Sequence, residues 1–387
     1  MKPETARESG SSGEGGEGPG DCSAAEGGAA GSRSGLRRFV KIAGWLVTAA
    51  SLVYVGARIV ASPVLGWQTW SRPWWLGALV AAAVAHALLS LLMPLAWGRL
   101  LRWLGNGPDS ARTYLAVYGR SQIAKYLPGN VFHIAGRQAL ASRVGWSQTR
   151  TATATVLELT SMAAAASVLG LLAFTLRAGL GFAADPTAEA ASSGAGAPGI
   201  LTTAGLLALL VAAFGMPAIL PAAMRALASR FRALAFLDPP RDPAHERSGW
   251  RAWLGIYVAH LAFHAGLGTL LLFLLLADGR EADSLTLVLV LTAAAPAWIA
   301  GTITPGASAG LGVREAALLW LLDPAVPHAV SAVLGLRLAT IAGDVLFFGI
   351  AAYFGELPAG APADPTSAAP PKTPPESAIG SQDTDGH

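Results

Sequence analysis

The chain has 387 residues, of which 53% are hydrophobic and only 13% charged, whereas soluble domains carry about 25% charged residues. The mean hydropathy is +0.47, and several runs of 20 or more residues hold no more than one charge, long enough to cross a hydrocarbon core about 30 Å thick. This excludes an ordinary soluble domain and predicts an all-α polytopic membrane protein; the net charge of +3 resides in Arg-rich connections and signals orientation rather than nucleic-acid binding.

Residues 1–35, rich in Gly, Ser and Glu, are expected to form a disordered cytoplasmic tail. No signal-peptide pattern is read, because the first apolar run follows an acidic stretch. Cys22, the only cysteine, excludes an intrachain disulfide and, with no apolar stretch before it, reads as a free thiol. A membrane domain is expected over 36–356, with spans near 38–60, 74–95, 151–176, 199–220, 252–277, 284–303 and 329–355. One further crossing would make eight. Arg residues crowd alternate connections: Arg37 and Arg38 before the first span, Arg99, Arg102 and Arg112 after the second, Arg225 to Arg251 before the fifth. The opposite connections hold Arg72, Arg177 and Arg280 only, so the N-terminus is expected in the cytoplasm of a cell (inner) membrane and 184–198 outside. Residues 357–387, rich in Pro, Ala, Ser and Thr, are expected to form a second disordered tail.

Within the spans, polar residues need a reason. Glu158 reads either as half of an ion pair with Arg137 or Arg150 or as a functional carboxylate. His86 reads as a packing or hydrogen-bonding histidine. His260 and His264, at i and i+4 on one helix face, suit helix-to-helix hydrogen bonds better than a metal, for which no third ligand is evident. Arg337 and Asp344 share a face of the last span and can pair with each other or with Arg314 and Glu315. Tyr114, Tyr118, Trp67, Trp70, Trp74 and Trp75 read as interfacial anchors. No nucleotide, metal or cofactor motif is read.

Two segments, 112–145 and 304–323, are too broken for spans and too apolar for loops, and are expected to be re-entrant. The first contains "LPGNVFHIAGR" and the second "TPGASAGLGVRE"; in each, Pro-Gly is followed by seven residues and an Arg. Pro ends the incoming helix, Gly turns the chain, and Asn130 can cap a new one. A helix N-terminus at membrane depth, with Lys125 and Arg137 near it, is suited to an anion, and Gly306 to Gly312 with Arg314 repeat the arrangement. Paired broken helices point to the midplane site of a transporter. The number of intervening spans decides whether the repeat is parallel or inverted. Ser121 and Lys125, at i and i+4, are read as part of this cradle rather than as a nucleophilic pair.

These two stretches, Ser121, Lys125, Pro128 and Gly129 with Gly145 and Glu158, then Pro305, Gly306, Gly310, Gly312, Arg314 and Glu315, resemble the lysylphosphatidylglycerol synthase transmembrane region, the flippase-like membrane family, over residues 38–355. In the second stretch "ASA" intervenes where that family commonly has Gly-Gly. The resemblance implies a flippase-like protein, without the soluble domain that transfers lysine and so not expected to make lysyl lipid. The expected activity is binding and leaflet-to-leaflet movement of an anionic phospholipid or a polyprenyl-phosphate-linked lipid. Ser121, Lys125, Gly129, Asn130, His133, Arg137, Gly306, Gly310 and Arg314 would hold the phosphate, and Glu158, Glu315, Arg337 and Asp344 would hold a head-group charge or protons. The alternatives are a non-transporting subunit or scaffold for a glycosyltransferase or lipid-modifying system, with a protein partner or a second copy, and a membrane transferase using Glu158 as base.

Overall fold

A computed structural model describes residues 23–62, 73–105, 110–127, 131–184, 222–223, 225–230, 243–279, 284–323, 326 and 329–357. Among these every regular element is helical: α1 (Ser23–Val60), α2 (Pro73–Ser90), α3 (Leu92–Trp103), α4 (Ala111–Gln122), α5 (Phe132–Arg143), α6 (Gln148–Ala184), α7 (Pro243–Ala277), α8 (Ser284–Ile303), α9 (Val313–Leu322) and α10 (Val330–Phe354). Six stretches are long and apolar enough to cross a membrane: Ile42–Val60, Pro73–Trp103, Gln148–Leu176, Ala252–Ala277, Thr286–Ile303 and Val330–Phe354. The chain is therefore an all-α, multi-pass membrane protein. The expected span at 199–220, the loop at 184–198 and the tail from 358 onward lie outside the described residues. Helical backbone reaches back to Ser23, inside the stretch read as a tail.

Local chemistry explains the element boundaries. Pro73 occupies the first position of α2, where its missing N–H is no loss. Pro94 sits in the first turn of α3 and cannot bond to the carbonyl four residues back, at Ser90, so the second span breaks between α2 and α3 at Leu91. In α6 the hydroxyls of Thr151, Thr153 and Thr155 each donate to the carbonyl four residues earlier, which satisfies them in apolar surroundings.

Small residues let the helices approach closely. Gly343 of α10 packs on Ala83 and His86 of α2, Gly335 on Trp75, and Gly119 of α4 on Ala351 and Phe347 of α10. Gly268 of α7 meets the backbone of Leu291 in α8, and Gly170 of α6 meets Pro296. Large apolar side chains such as Trp45, Val53, Val80, Leu88, Val258 and Val345 face outward, an arrangement that suits hydrocarbon rather than water.

Two apolar cores lie at opposite ends. One gathers Trp75, Ala82, Leu274, Leu289, Leu322 and Val333; the other Trp97, Leu100, Leu157, Ile256 and Phe347. At the first end Arg58 pairs with Asp323 at 3.5 Å and Ser331 donates to Asp278 at 2.6 Å. At the second, Arg112 pairs with Glu356 at 2.5 Å, and Arg120 donates to the carbonyls of Ala351, Ala352 and Gly355 that close α10. α6 and α7 both run from the second end toward the first, and α10 returns to the second.

Two helical hairpins enter from opposite ends. In the α4–α5 pair, the rings of Tyr114 near the start and Trp146 just after the finish pack at a tilt with centres 5.4 Å apart, so both outer ends lie at the second end. In the α8–α9 pair, the outer ends adjoin Asp278 and Arg58 at the first end. The tips touch: the Ser308 hydroxyl donates to the Tyr126 carbonyl. The two broken segments are thus inverted relative to one another.

Candidate functional site

Where the tips meet, a cavity of about 310 Å³ opens. Its depth follows from helix geometry: Asp344 stands fourteen residues into α10, about 21 Å from the start of that helix at 1.5 Å per residue, and His86 thirteen residues into α2, about 20 Å. On both helices the cavity residues fall between the stretches that build the two cores.

Each wall brings charge. The first hairpin supplies Lys125, His133 and Arg137, α6 supplies Glu158, α9 supplies Arg314, and α10 supplies Arg337 and Asp344. Met93, Leu159, Met162, Phe263, Leu267 and Trp298 complete an apolar side. Buried charges need partners, and nearly all of these have one. Arg137 is ion-paired with Glu158, the two side chains only 3% and 1% exposed. Its guanidinium also lies 3.8 Å from the ring centre of Tyr118 and 5.1 Å from that of Trp97. Asp344 receives Lys125 Nζ at 2.7 Å, the Tyr126 hydroxyl at 2.5 Å and His86 Nε2 at 3.3 Å. Arg337 lies 3.3 Å from Glu315 and also donates to the Ala309 carbonyl at 3.3 Å.

Arg314 differs. Its side chain reaches the Thr302 hydroxyl at 3.5 Å, and its buried Nε lacks an acceptor, as do those of Arg137 and Arg337, but unlike them it has no ion-pair partner to offset this. No carboxylate among the described residues pairs with it. The cluster therefore holds four cations and three carboxylates, and Arg314 is the cation left over.

The turn that carries Arg314 is tightly wound. Gly306, Ala309, Gly310 and Gly312 all take positive φ, at 89°, 48°, 72° and 81°. Gly310 lies against Gly301 and the Arg314 side chain, so a larger residue there would collide with both. α1 covers the outside of the turn through Gly44 on Pro305, Trp45 on Gly306 and Leu52 on Gly312.

Several expectations change in detail. Lys125 does not present a free ammonium, because Asp344 holds it. Ser121 is buried with its hydroxyl donated to the Tyr118 carbonyl, off the cavity wall. Helix α5 begins at Phe132 with Val131 at its cap position and no side-chain cap; Gly129 and Asn130 lie outside the described residues. The N-terminus of α9 is not open to a guest anion, since Glu315 supplies one by accepting the Gly312 N–H at 2.6 Å. Gly306 and Gly310 shape the turn without lining the cavity. Of the Arg337 and Asp344 alternatives, Arg337 pairs with Glu315 and Asp344 with Lys125.

Tyr114, Tyr118 and Trp75 are buried, not interfacial, because each packs between helices; Trp67 and Trp70 lie outside the described residues. His260 and His264 bridge helices, to the Ser161 hydroxyl at 2.9 Å and the Met162 carbonyl at 3.3 Å. Sequence reasoning missed Tyr126, Thr302 and the role of His86 beside Asp344. Only the unusual presence of a histidine in the middle of a span signalled the last.

Comparison with protein-family profiles, curated proteins and solved structures found no match to this chain.

Proposed function

We propose that the protein binds the phosphate-bearing head group of an anionic lipid in this cavity and carries it between leaflets. The observation that carries the reading is Arg314: a guanidinium with no carboxylate partner, facing a cavity of about 310 Å³ inside an apolar bundle. Such a group is costly to bury unless an anion joins it, and phosphate is the anion that membrane lipids themselves carry. The volume falls within the usual range for small-ligand cavities. The apolar side made by Met93, Met162, Phe263 and Leu267 offers a path for acyl chains.

Inverted hairpins meeting at a site are the arrangement expected of an alternating-access carrier. In this reading both hairpins are re-entrant: each enters and leaves the membrane on one side. The second end, rich in Arg99, Arg102, Arg112, Arg120, Arg143 and Arg150, faces the cytoplasm of a cell membrane, which puts the start of α1 and the end of α10 there together. The flippase-like resemblance drawn from the two Pro-Gly segments agrees with this function. Transfer of a labelled anionic phospholipid across proteoliposomes of the full chain tests it. Faster transfer than in protein-free vesicles, lost in Arg314→Gln, is the expected result; equal rates with and without protein would refute it.

One observation favours the scaffold reading instead: Glu158, Asp344 and Glu315 are all paired internally, as a static structural network would have them. A scaffold would leave leaflet transfer at the protein-free rate and would co-purify with a protein partner.

A further inference from the structure

We infer that the head group taken by this cavity is a hydroxyl-bearing phosphodiester monoanion without an amine. This rests on the reading that the cavity binds a lipid phosphate, and it follows from the charge balance and from which polar atoms lack partners.

Three ion pairs, Arg137 with Glu158, Lys125 with Asp344 and Arg337 with Glu315, neutralise themselves. Among the arginine, lysine and carboxylate side chains, Arg314 leaves one positive charge. In low dielectric the guest that cancels it with one negative charge is favoured over guests that leave a net charge of either sign. A phosphodiester carries one negative charge, whereas a phosphomonoester carries about −1.5 to −2 near neutral pH. A monoester would thus replace a surplus positive charge with a surplus negative one.

An amine is disfavoured on separate grounds. Glu158 and Asp344 at the cavity, and Glu315 behind Arg337, each already hold a cation, and Glu158 Oε1, which has no hydrogen-bond partner, belongs to a side chain only 1% exposed, so a guest ammonium finds no uncompensated charge. The Tyr118 ring, which lines the cavity, is already covered by Arg137 at 3.8 Å. A zwitterionic head group would leave the surplus unchanged, and a lysyl-bearing one would increase it.

Hydroxyls are favoured by two buried atoms. Gln122 Oε1 and His133 Nδ1 belong to residues that line the cavity, and neither has a hydrogen-bond partner. An unmatched buried acceptor is costly, and a guest hydroxyl relieves it. A phosphoglycerol and a phosphosugar share this chemistry. The first would come from a glycerophospholipid and the second from a polyprenyl carrier.

The test is a competition in native mass spectrometry. The full chain in detergent is offered equal concentrations of dihexanoyl phosphatidylglycerol, phosphatidylmethanol, phosphatidic acid and phosphatidylethanolamine, with farnesyl phosphoglucose. Phosphatidylglycerol or farnesyl phosphoglucose should be retained about tenfold over phosphatidic acid and phosphatidylethanolamine, the scale of one charge-assisted hydrogen-bonded pair. Whichever of the two dominates names the source. Gln122→Leu should bring phosphatidylglycerol down to the level of phosphatidylmethanol while leaving phosphatidylmethanol unchanged, a result that misfolding cannot imitate. Phosphatidic acid bound best, with the binding lost in Arg314→Gln, would overturn the inference while leaving an anionic-lipid site. Phosphatidylethanolamine bound as well as phosphatidylglycerol would also overturn it. No discrimination among lipids, with Arg314→Gln binding as the parent does, would overturn the lipid site as well.

Discussion

Arg137 and Arg314 follow their Pro-Gly pairs at the same distance, yet their surroundings assign them different work. Arg137 is clamped by Glu158 and by the faces of Tyr118 and Trp97, so it holds α5 to α6 and α3. Arg314 is the member with no carboxylate within ion-pair distance among the described residues. Glu158→Ala should therefore cost about 3–5 kcal/mol, because it leaves a buried guanidinium without its counter-ion. The double variant Arg137→Met with Glu158→Leu should recover most of that loss. Thermal unfolding in detergent of the singles and the double, read as a cycle, checks both. Part of this was legible in the sequence: Glu158 in an apolar span called for a cation, and Arg137 was in reach. The pairing of Lys125 with Asp344 was not, because nothing local connects residues brought together only by the approach of α4 to α10. The same is true of His86 and Asp344, 258 residues apart.

Among the elements, the two hairpins carry the account. Pro-Gly marked both breaks in the sequence because proline ends a helix and glycine permits the turn whatever the tertiary context. Their opposite entry was not legible, since it depends on which segments between them cross fully. The second turn tolerates little change. Gly312→Ala, at φ 81°, should cost about 1–2 kcal/mol for a side chain in left-handed backbone. Gly310→Ala should do more, since its Cβ would stand 2.6 Å from Arg314 Nε and 2.8 Å from Gly301 Cα. It should weaken retention of anionic lipid, read by native mass spectrometry, while the protein still inserts into the membrane. Contact between the tips is open to direct test. In a Cys22→Ser background, Tyr126→Cys with Ser308→Cys should be joined within one chain by a short bifunctional maleimide, and absence of that product would contradict the tip-to-tip arrangement.

Across the whole molecule, long apolar runs made the membrane class and six of the spans readable, because crossing a hydrocarbon core needs length and hydropathy and little else. The side on which the chain finishes was not readable, because hydropathy alone does not decide how a chain broken at Pro305–Gly306 and returning through α9 crosses. Its geometry puts the end of α10 beside Arg112, away from Asp323. Glu356→Cys and Ser62→Cys in a Cys22→Ser background should thus label from opposite faces of intact cells or vesicles, Ser62→Cys from outside. Labelling of both from one face would contradict this topology. Binding of a lipid anion at Arg314 is open to native mass spectrometry of the purified full chain with its co-purifying lipids, beside Arg314→Gln and Arg314→Lys. One specific anionic lipid should accompany the parent, persist in Arg314→Lys and be absent from Arg314→Gln; the same lipid complement on all three would rule out an anion site at Arg314.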